Sequence, residues 1–152
     1  MKFLLWFEPE RVTDPENLAK YYGYNVDWAI SLEGEKAISN NIGDPDCRAW
    51  ITERICKMLR ENKVEMYRED NNCNAAKLWK HLDSREEGVR NGITELKIID
   101  AHYRMWDDII ACTLSYGGCG FVDSCASGGG RNDLESLRRA VPLLRSDSDR
   151  TS

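Results

Sequence analysis

Two aspartates that follow separate apolar segments are the residues best suited to acid–base chemistry in this sequence. Asp70 lies in the polar cluster 68–72, directly after a short alternating segment, and Asp147 lies in a second polar cluster after the apolar residues 141–144. Cleavage of a glycosidic bond needs one ionised carboxylate and a second one that can donate a proton. Acidic residues after strands are also common as solvated turn formers. Residue types and spacing therefore indicate an α/β domain that carries a site, without identifying its reaction.

A glycine-rich segment, residues 127–130, precedes Asp133, which is placed to cap a helix that begins at Leu134. Backbone N–H groups at such a position can bind anions, so a phosphate site is one interpretation and a tight loop is the other. The chain contains neither G-x-x-x-x-G-K-[ST] nor G-x-G-x-x-G spacing, which favours the loop. A nucleotide-binding domain is therefore the weakest functional alternative.

The indole of Trp6 and the thiol of Cys125 are further candidate functional groups. Trp6 stands near the C-terminal end of the first predicted strand, where it could stack on a sugar ring, whereas Trp106 lies on the apolar face of a predicted helix and is expected in the core. Cys125 could act as a nucleophile, but no histidine is near it in sequence. A packed free thiol is the favoured interpretation of Cys125.

Alternating elements are predicted to hold these residues. A first strand over residues 1–7 is apolar enough to be buried on both faces, and 13–39 form a long, partly structured loop in which 17–22 have helical character. An acid followed by proline opens a helix over 44–62.

The second half of the chain continues the alternation. We predict a strand over 63–67, followed by the polar cluster 68–72 in a loop, and a long helix over 93–112. A brief strand over 121–122, a capped helix over 134–140 and a last strand over 141–144 complete the chain. This order is typical of parallel strands joined by crossover helices. Carboxylate-rich clusters follow the carboxyl ends of these strands, where barrels and doubly wound sheets both build their sites.

The composition limits the class of protein. The chain has 152 residues, of which 41% are hydrophobic and 31% charged, as expected for one globular domain. Its net charge is −5 and its basic residues are dispersed, so we expect no nucleic-acid partner. The apolar run 3–7 is far too short for a membrane span or a signal-peptide core, so we expect no membrane association and a cytoplasmic location.

Cysteine and histidine spacing argues against metal chemistry. The six cysteines include no C-x-x-C pair, so free thiols in a reducing compartment are expected. His81 and His102 have no second ligand at a recognisable spacing, and we predict no zinc site and no cofactor.

Four ordered motifs resemble the signatures of the glycoside hydrolase family 36 α-galactosidases, also called melibiases. They are WFEPE at 6–10, YREDNN at 67–72, CASGGGRND at 125–133 and RSD at 145–147. The resemblance covers nearly the whole chain. It implies an α/β fold, a partial (β/α)8 TIM barrel comprising strands three to six with their helices.

The resemblance also implies roles. Asp70, after the fourth barrel strand, would be the nucleophile, and Asp147, after the sixth, the general acid/base of a retaining reaction on terminal α-galactosides such as raffinose or melibiose. The implied substrate-binding residues are Trp6, Arg68, Asn72, Cys125 and Gly128. Arg68 stands where many members have lysine, and Glu69 should point away from Asp70 along the strand pleat.

The resemblance leaves alternatives for the whole protein. Because a complete barrel takes about 250 residues, we expect residues 1–152 to be a fragment of a longer catalytic domain. Homo-oligomer formation is an expectation for the full-length parent. An α-N-acetylgalactosaminidase, a galactosyl transferase related to raffinose synthases and a non-catalytic sugar-binding α/β module are the rival hypotheses.

Overall fold

A computed structural model describes residues 2–36, 38–85, 88, 90–125 and 131–143. The chain divides into two compact units. The first contains residues 1–8, 52–72 and 103–152, and the second contains residues 9–51 and 73–102. The elements in chain order are β1 (Leu4–Phe7), β2 (Arg11–Val12), α1 (Pro15–Tyr22), a 3-10 turn (Val26–Trp28), β3 (Ala29–Ser31), β4 (Ile38–Asn40), α2 (Pro45–Glu61), β5 (Met66–Glu69), α3 (Ala75–Ser84), α4 (Ile93–Leu114), β6 (Val122–Ser124) and α5 (Leu134–Leu137).

A parallel sheet of three strands organises the first unit. Its order is β1-β5-β6, so β5 is the central strand. The predicted parallel arrangement is therefore confirmed for these strands. Beyond β6, Ala140 forms an isolated parallel bridge with Val122, one residue before the last predicted strand, of which residues 141–143 are not in a strand. Residues 144–152 lie outside the described part of the chain.

Helical segments cover one face of this sheet. The largest fully buried apolar side chains of the first unit are Leu59, Tyr67, Met105, Ile109 and Val122. The turn after α4 is so tight that only glycine fits at position 118, because a Cβ there would lie 2.8 Å from the carbonyl oxygen of Thr113 and 3.0 Å from that of Glu65, just before β5. Trp106 is buried, which confirms its predicted place in the core.

The second unit is built on a small antiparallel sheet with the order β2-β4-β3. The Asn40 side chain stabilises it by donating to the carbonyl of Pro9 at 2.9 Å and accepting from the Tyr24 hydroxyl at 2.6 Å. Asp83 caps the start of α4, since its carboxylate accepts hydrogen bonds from the backbone of Gly92 and Thr94. None of the described helices is long and apolar enough to cross a membrane.

Several predicted helices are confirmed. The spacing-based helices over 44–62 and 93–112 correspond to α2 and α4. Asp133 caps α5 as predicted, with its carboxylate accepting from the backbone of Ser136 at 2.7 Å. Helix α5 ends at Leu137, earlier than predicted, because Ala140 already pairs with β6.

Other predictions were wrong in part. The helical character of 17–22 is confirmed by α1, but the rest of the predicted loop 13–39 contains the 3-10 turn, β3 and the start of β4. Strands of three residues are too short to show a readable alternation, so the pattern gave no signal for them. Helix α3 was not predicted, although Asn74 caps it.

The placement of the polar cluster 68–72 in a loop was also wrong in part. Strand β5 spans Met66–Glu69, so Arg68 and Glu69 belong to the strand. The polar cluster is tolerated there because tertiary partners satisfy both side chains. Arg68 pairs with Asp123, and Glu69 accepts two hydrogen bonds from buried donors.

Candidate active site

Asp70 is the first residue after β5, at the carboxyl end of the central strand. Its backbone N–H donates to the carbonyl of Phe7 at 2.8 Å, which continues the pairing with β1. Its carboxylate accepts hydrogen bonds from the backbone N–H of Asn71 at 3.0 Å and from the side chains of Cys125 and Asn72. The carboxylate is thus held by groups from two strand ends.

The surroundings of Asp70 favour its ionised form. Partial burial alone would raise the pKa of Asp70, but the hydrogen bonds from Cys125, Asn72 and Asn71 and the charge of Arg68 outweigh that cost. The net result is a pKa below the usual aspartate value. Asp70 is therefore a carboxylate, and not a carboxylic acid, at neutral pH.

Arg68 supplies the cation of this site. Its guanidinium Nη1 donates to Oδ2 of Asp123 on the neighbouring strand β6, in register opposite it. Burial would lower the pKa of Arg68, but the hydrogen bond and charge of Asp123, with smaller contributions from Cys125 and Asp70, raise it. Arg68 and Asp70 are two residues apart, so the pleat directs both toward the same face of the sheet.

Trp6 shares that face. In the parallel register Trp6 is opposite Arg68, which is in turn opposite Asp123, so the three residues form one row across the sheet. The Trp6 side chain is 59% exposed. A large exposed indole beside a charged row is suited to stacking on the apolar face of a sugar ring.

Two polar contacts hold the backbone that follows Asp70. The N–H of Asn72 donates to Oε1 of Glu8 at 3.0 Å, and the guanidinium of Arg131 donates to the side-chain oxygen of Asn71 at 2.9 Å. The N–H of Cys125 donates to the carbonyl of Glu69 at 2.9 Å, which brings the thiol beside Asp70.

Glu69 makes its contacts on the opposite face, as expected from the pleat. Its side chain is 0% exposed, and Oε2 accepts hydrogen bonds from the Tyr67 hydroxyl and from Nε1 of Trp106 on α4, both at 2.7 Å. Two adjacent carboxylates therefore have different surroundings: Glu69 faces helix α4 and Asp70 faces the site.

The structure brings together most of the residues that the sequence predicted. Trp6, Arg68, Asp70, Asn72 and Cys125 belong to the carboxyl end of the parallel sheet. The other two predicted residues, Asp147 and Gly128, lie outside the described residues. In the described part of the chain no three Asp, Glu, His or Cys side chains are grouped to hold a metal ion.

Sequence reasoning missed the residues that support this site. Asp123, Glu8 and Arg131 each bind a neighbour of Asp70 through a side chain. Glu8 and Arg131 could have been identified from the sequence, because they belong to the motifs WFEPE at 6–10 and CASGGGRND at 125–133. Asp123 was visible only as the acid that follows a short apolar pair, which does not specify a partner.

The arrangement can deliver an ionised carboxylate to an electrophilic carbon. Hydrogen bonds to Asp70 fix its orientation, and the Arg68 guanidinium carries further N–H donors on the same face of the sheet. The described residues supply an oriented, ionised carboxylate at one edge of the sheet.

We expect replacement of Cys125 by alanine to shift the acid limb of the kcat/KM profile of the full-length protein to higher pH. The thiol hydrogen bond stabilises the charged form of Asp70, so its loss raises the pKa of Asp70 and the carboxylate becomes protonated at a higher pH. The expected effect is a kcat/KM that falls several-fold further on the acid side than at neutral pH.

Cys119→Ala is the matched control, because Cys119 precedes β6 whereas Cys125 follows it, and its thiol contacts Lys2 instead. A pH profile of Cys125→Ala that superimposes on that of Cys119→Ala would show that the thiol does not act on Asp70.

Comparison with known proteins identifies a family that the chain matches. The family described as melibiase matches residues 1–151. The chain is 26% identical over 155 residues to an Escherichia coli α-galactosidase, covering 98% of this chain and 20% of that protein. It is 27% identical over 157 residues to the bifunctional α-galactosidase/sucrose kinase AgaSK of Mediterraneibacter gnavus, covering 97% of this chain and 14% of that protein.

Solved structures show the same fold. The α-galactosidase from Lactobacillus brevis superimposes with a TM-score of 0.67 at 24% identity, covering 92% of this chain and 18% of that one. The family 36 α-galactosidase AgaA from Geobacillus stearothermophilus gives a TM-score of 0.66 at 22% identity, covering 92% and 19% of the two chains. The chain thus spans about a fifth or less of each of these relatives.

Proposed function

Because the chain belongs to the melibiase family, we propose that it forms part of the catalytic domain of a retaining α-galactosidase. The observation that carries the proposal is the Asp70 carboxylate, which is oriented and kept ionised at the end of the central strand by Cys125, Asn72 and Arg68. A glycosidase nucleophile requires such a carboxylate.

In the proposed reaction Asp70 attacks the anomeric carbon of a terminal α-galactoside. Asp147 protonates the departing glycosidic oxygen, so the bond to the aglycone breaks as the bond to Asp70 forms. Asp147 then removes a proton from water, which attacks the galactosyl-enzyme and releases galactose with its original configuration. The role of Asp147 comes from its motif, RSD at 145–147.

The remaining predicted residues would bind the sugar. We propose that Trp6 stacks on the galactose ring and that Arg68 and Asn72 donate hydrogen bonds to its hydroxyl groups. Cys125 and Gly128 would line the side that recognises those hydroxyls. The support for Trp6 and Arg68 is their common row on one face of the sheet.

We further propose that the chain is the middle of a (β/α)8 barrel, strands three to six. Three parallel strands and the bridge at Ala140 support four consecutive barrel strands. Strand β1 is the first strand in the sheet order, so the preceding barrel strand would pair with its outer edge. A closed barrel needs about 250 residues, which agrees with the greater length of the relatives.

Two expectations concern the full-length parent. The six cysteines are free thiols, which supports a reducing compartment such as the cytoplasm. Homo-oligomer formation stays a prediction.

The full-length protein should hydrolyse an aryl α-galactoside and release α-galactose first. Double displacement inverts the anomeric centre twice, so proton NMR of the early reaction should show the α-anomer before mutarotation. We also expect an aryl α-galactoside to be turned over at least about tenfold faster than the matching α-N-acetylgalactosaminide, as discrimination by a 2-substituent is usually of this order or larger.

Three outcomes would change the proposal. Release of the β-anomer first would exclude retention. Preference for the N-acetylated substrate, or transfer of galactose to sucrose in place of water, would move the protein to one of the rival transfer or hydrolysis classes. Saturable galactose binding without any turnover would identify a sugar-binding module.

A further inference from the structure

Asp123 is a buried acid that the proposed reaction does not use. It lies in the middle of β6, and its residue is 1% exposed. An acid so completely buried is costly unless each oxygen has a partner. The partners of Asp123 therefore indicate what the side chain is for.

The first carboxylate oxygen holds Arg68. Oδ2 of Asp123 accepts from Nη1 of Arg68, and the two residues are directly opposite in the register of β5 and β6. Asp70, two residues after Arg68, is the other carboxylate whose charge acts on this guanidinium. Without Asp123, Asp70 is the carboxylate that still acts on the guanidinium.

The second oxygen holds the chain that leads to Asp147. Val122 and residues 139 and 141 exchange the backbone hydrogen bonds of a parallel pair, at 3.0 Å and 2.8 Å. The next N–H on that side, from Leu143, donates to Oδ1 of Asp123 at 3.0 Å. The Asp123 carboxylate thus accepts the N–H of Leu143 in place of a backbone carbonyl. Leu143 precedes Asp147 by four residues in the sequence.

We propose that Asp123 is a positioning residue that ties the Arg68 side chain, beside Asp70, to the backbone of Leu143. One oxygen keeps Arg68 from binding the nucleophile Asp70, so that the guanidinium stays available to the sugar. The other holds the backbone at Leu143, which precedes Asp147 by four residues in the sequence. This inference rests on the proposed function, because the roles of Asp70 and Asp147 come from it.

Two substitutions separate the two oxygens. Asp123→Asn keeps an acceptor for the Leu143 N–H but removes the charge that holds Arg68. Asp123→Ala removes both contacts. Asp107→Asn is the matched control, since Asp107 binds Arg139 through both oxygens, at 2.6 and 3.1 Å, on the exposed surface of α4.

In the full-length protein, Asp123→Asn should lower kcat/KM for a nitrophenyl α-galactoside at least about tenfold. When Arg68 is no longer held by Asp123, its charge acts more strongly on Asp70 and lowers the pKa of Asp70. The acid limb of the kcat/KM profile should therefore move to lower pH. The charged and titratable groups that act on one another at this position are Arg68 on β5, Asp70 directly after β5 and Cys125 after β6. None of these but Arg68 is freed by the change.

Asp123→Ala should add a defect that depends on the leaving group. A nitrophenolate leaves without protonation, whereas the sugar alcohol of melibiose or raffinose needs a proton from the acid. We expect Asp123→Ala to lose at least about tenfold more activity on melibiose than on the nitrophenyl substrate, and Asp123→Asn to lose equally on both.

If Asp123 only stabilised the fold, its replacement would change neither the acid limb of the pH profile nor the ratio of the activities on the two substrates. Equal losses on both substrates with an unmoved acid limb, or activity equal to that of Asp107→Asn, would overturn the inference. Failure of the proposed function is distinguishable from this result, because the unsubstituted protein would then lack α-galactosidase activity or an Asp70→Gly variant would retain it.

Discussion

Replacement of Asp70 by glycine in the full-length protein should lower kcat for an aryl α-galactoside at least about 10³-fold, because the covalent intermediate can no longer form. The loss should appear in kcat and kcat/KM together. Arg68 keeps Asp123 as its partner in the variant, so the strand end that carries the site stays in place.

Azide tests the assignment of Asp70 as the nucleophile. The anion fits into the space left by the carboxylate and attacks the anomeric carbon directly, with the activated phenolate as the leaving group. A single displacement inverts the centre, so the product should be β-galactosyl azide. Partial return of turnover with sodium azide, with that product identified by NMR, is the expected result.

Asp107→Asn serves again as the control for substitution of an acidic residue in the same unit. Turnover by Asp70→Gly at the level of this control would exclude Asp70 as the nucleophile. Loss of turnover with no azide product, in a variant whose thermal transition is unchanged, would assign Asp70 to substrate binding instead of covalent catalysis.

Replacement of Glu69 by alanine should destabilise the protein more than any other single change near the site. The side chain is 0% exposed, and its Oε2 is the acceptor for Tyr67 and for Trp106. Alanine leaves two buried donors without that acceptor, each at a cost of about 1–3 kcal/mol, and also opens a cavity. We expect the free energy of unfolding to fall by about 4 kcal/mol.

Glu69→Gln is the matched variant, because the amide oxygen can accept the same hydrogen bonds in nearly the same volume. Its urea midpoint should stay much closer to that of the unsubstituted protein. Similar midpoints for the alanine and glutamine variants would show that the charge, and not the acceptor geometry, stabilises this position.

The periodic elements were predictable from sequence because their signals are local. An acid followed by proline opens α2, and a stripe of apolar residues at steps of three and four defines α4. The candidate site was predictable to the extent that its motifs follow strands, since the carboxyl ends of parallel strands lie at one edge of a sheet.

The remainder depends on contacts that no local pattern contains. Residues 68–72 looked too polar for a strand, and Glu69 is accommodated only because Trp106 on a distant helix donates to it. The role of Asp123 depends likewise on Arg68, which is 55 residues away in the chain. The strands β3 and β4 are too short to be recognised without their pairing.

The contrast between the two faces of β5 bears on folding fidelity. Glu69 and Asp70 are neighbouring acids, and both carry the same carboxylate group. Their chemistry alone therefore does not determine which of the two faces the candidate site. A strand threaded one residue out of register would exchange them, placing the longer acid in the site and the shorter one beside the indole of Trp106. The buried hydrogen bonds of Glu69 make that misthreaded state costly, so this side chain acts as a register lock whose benefit is realised on the opposite face of the sheet.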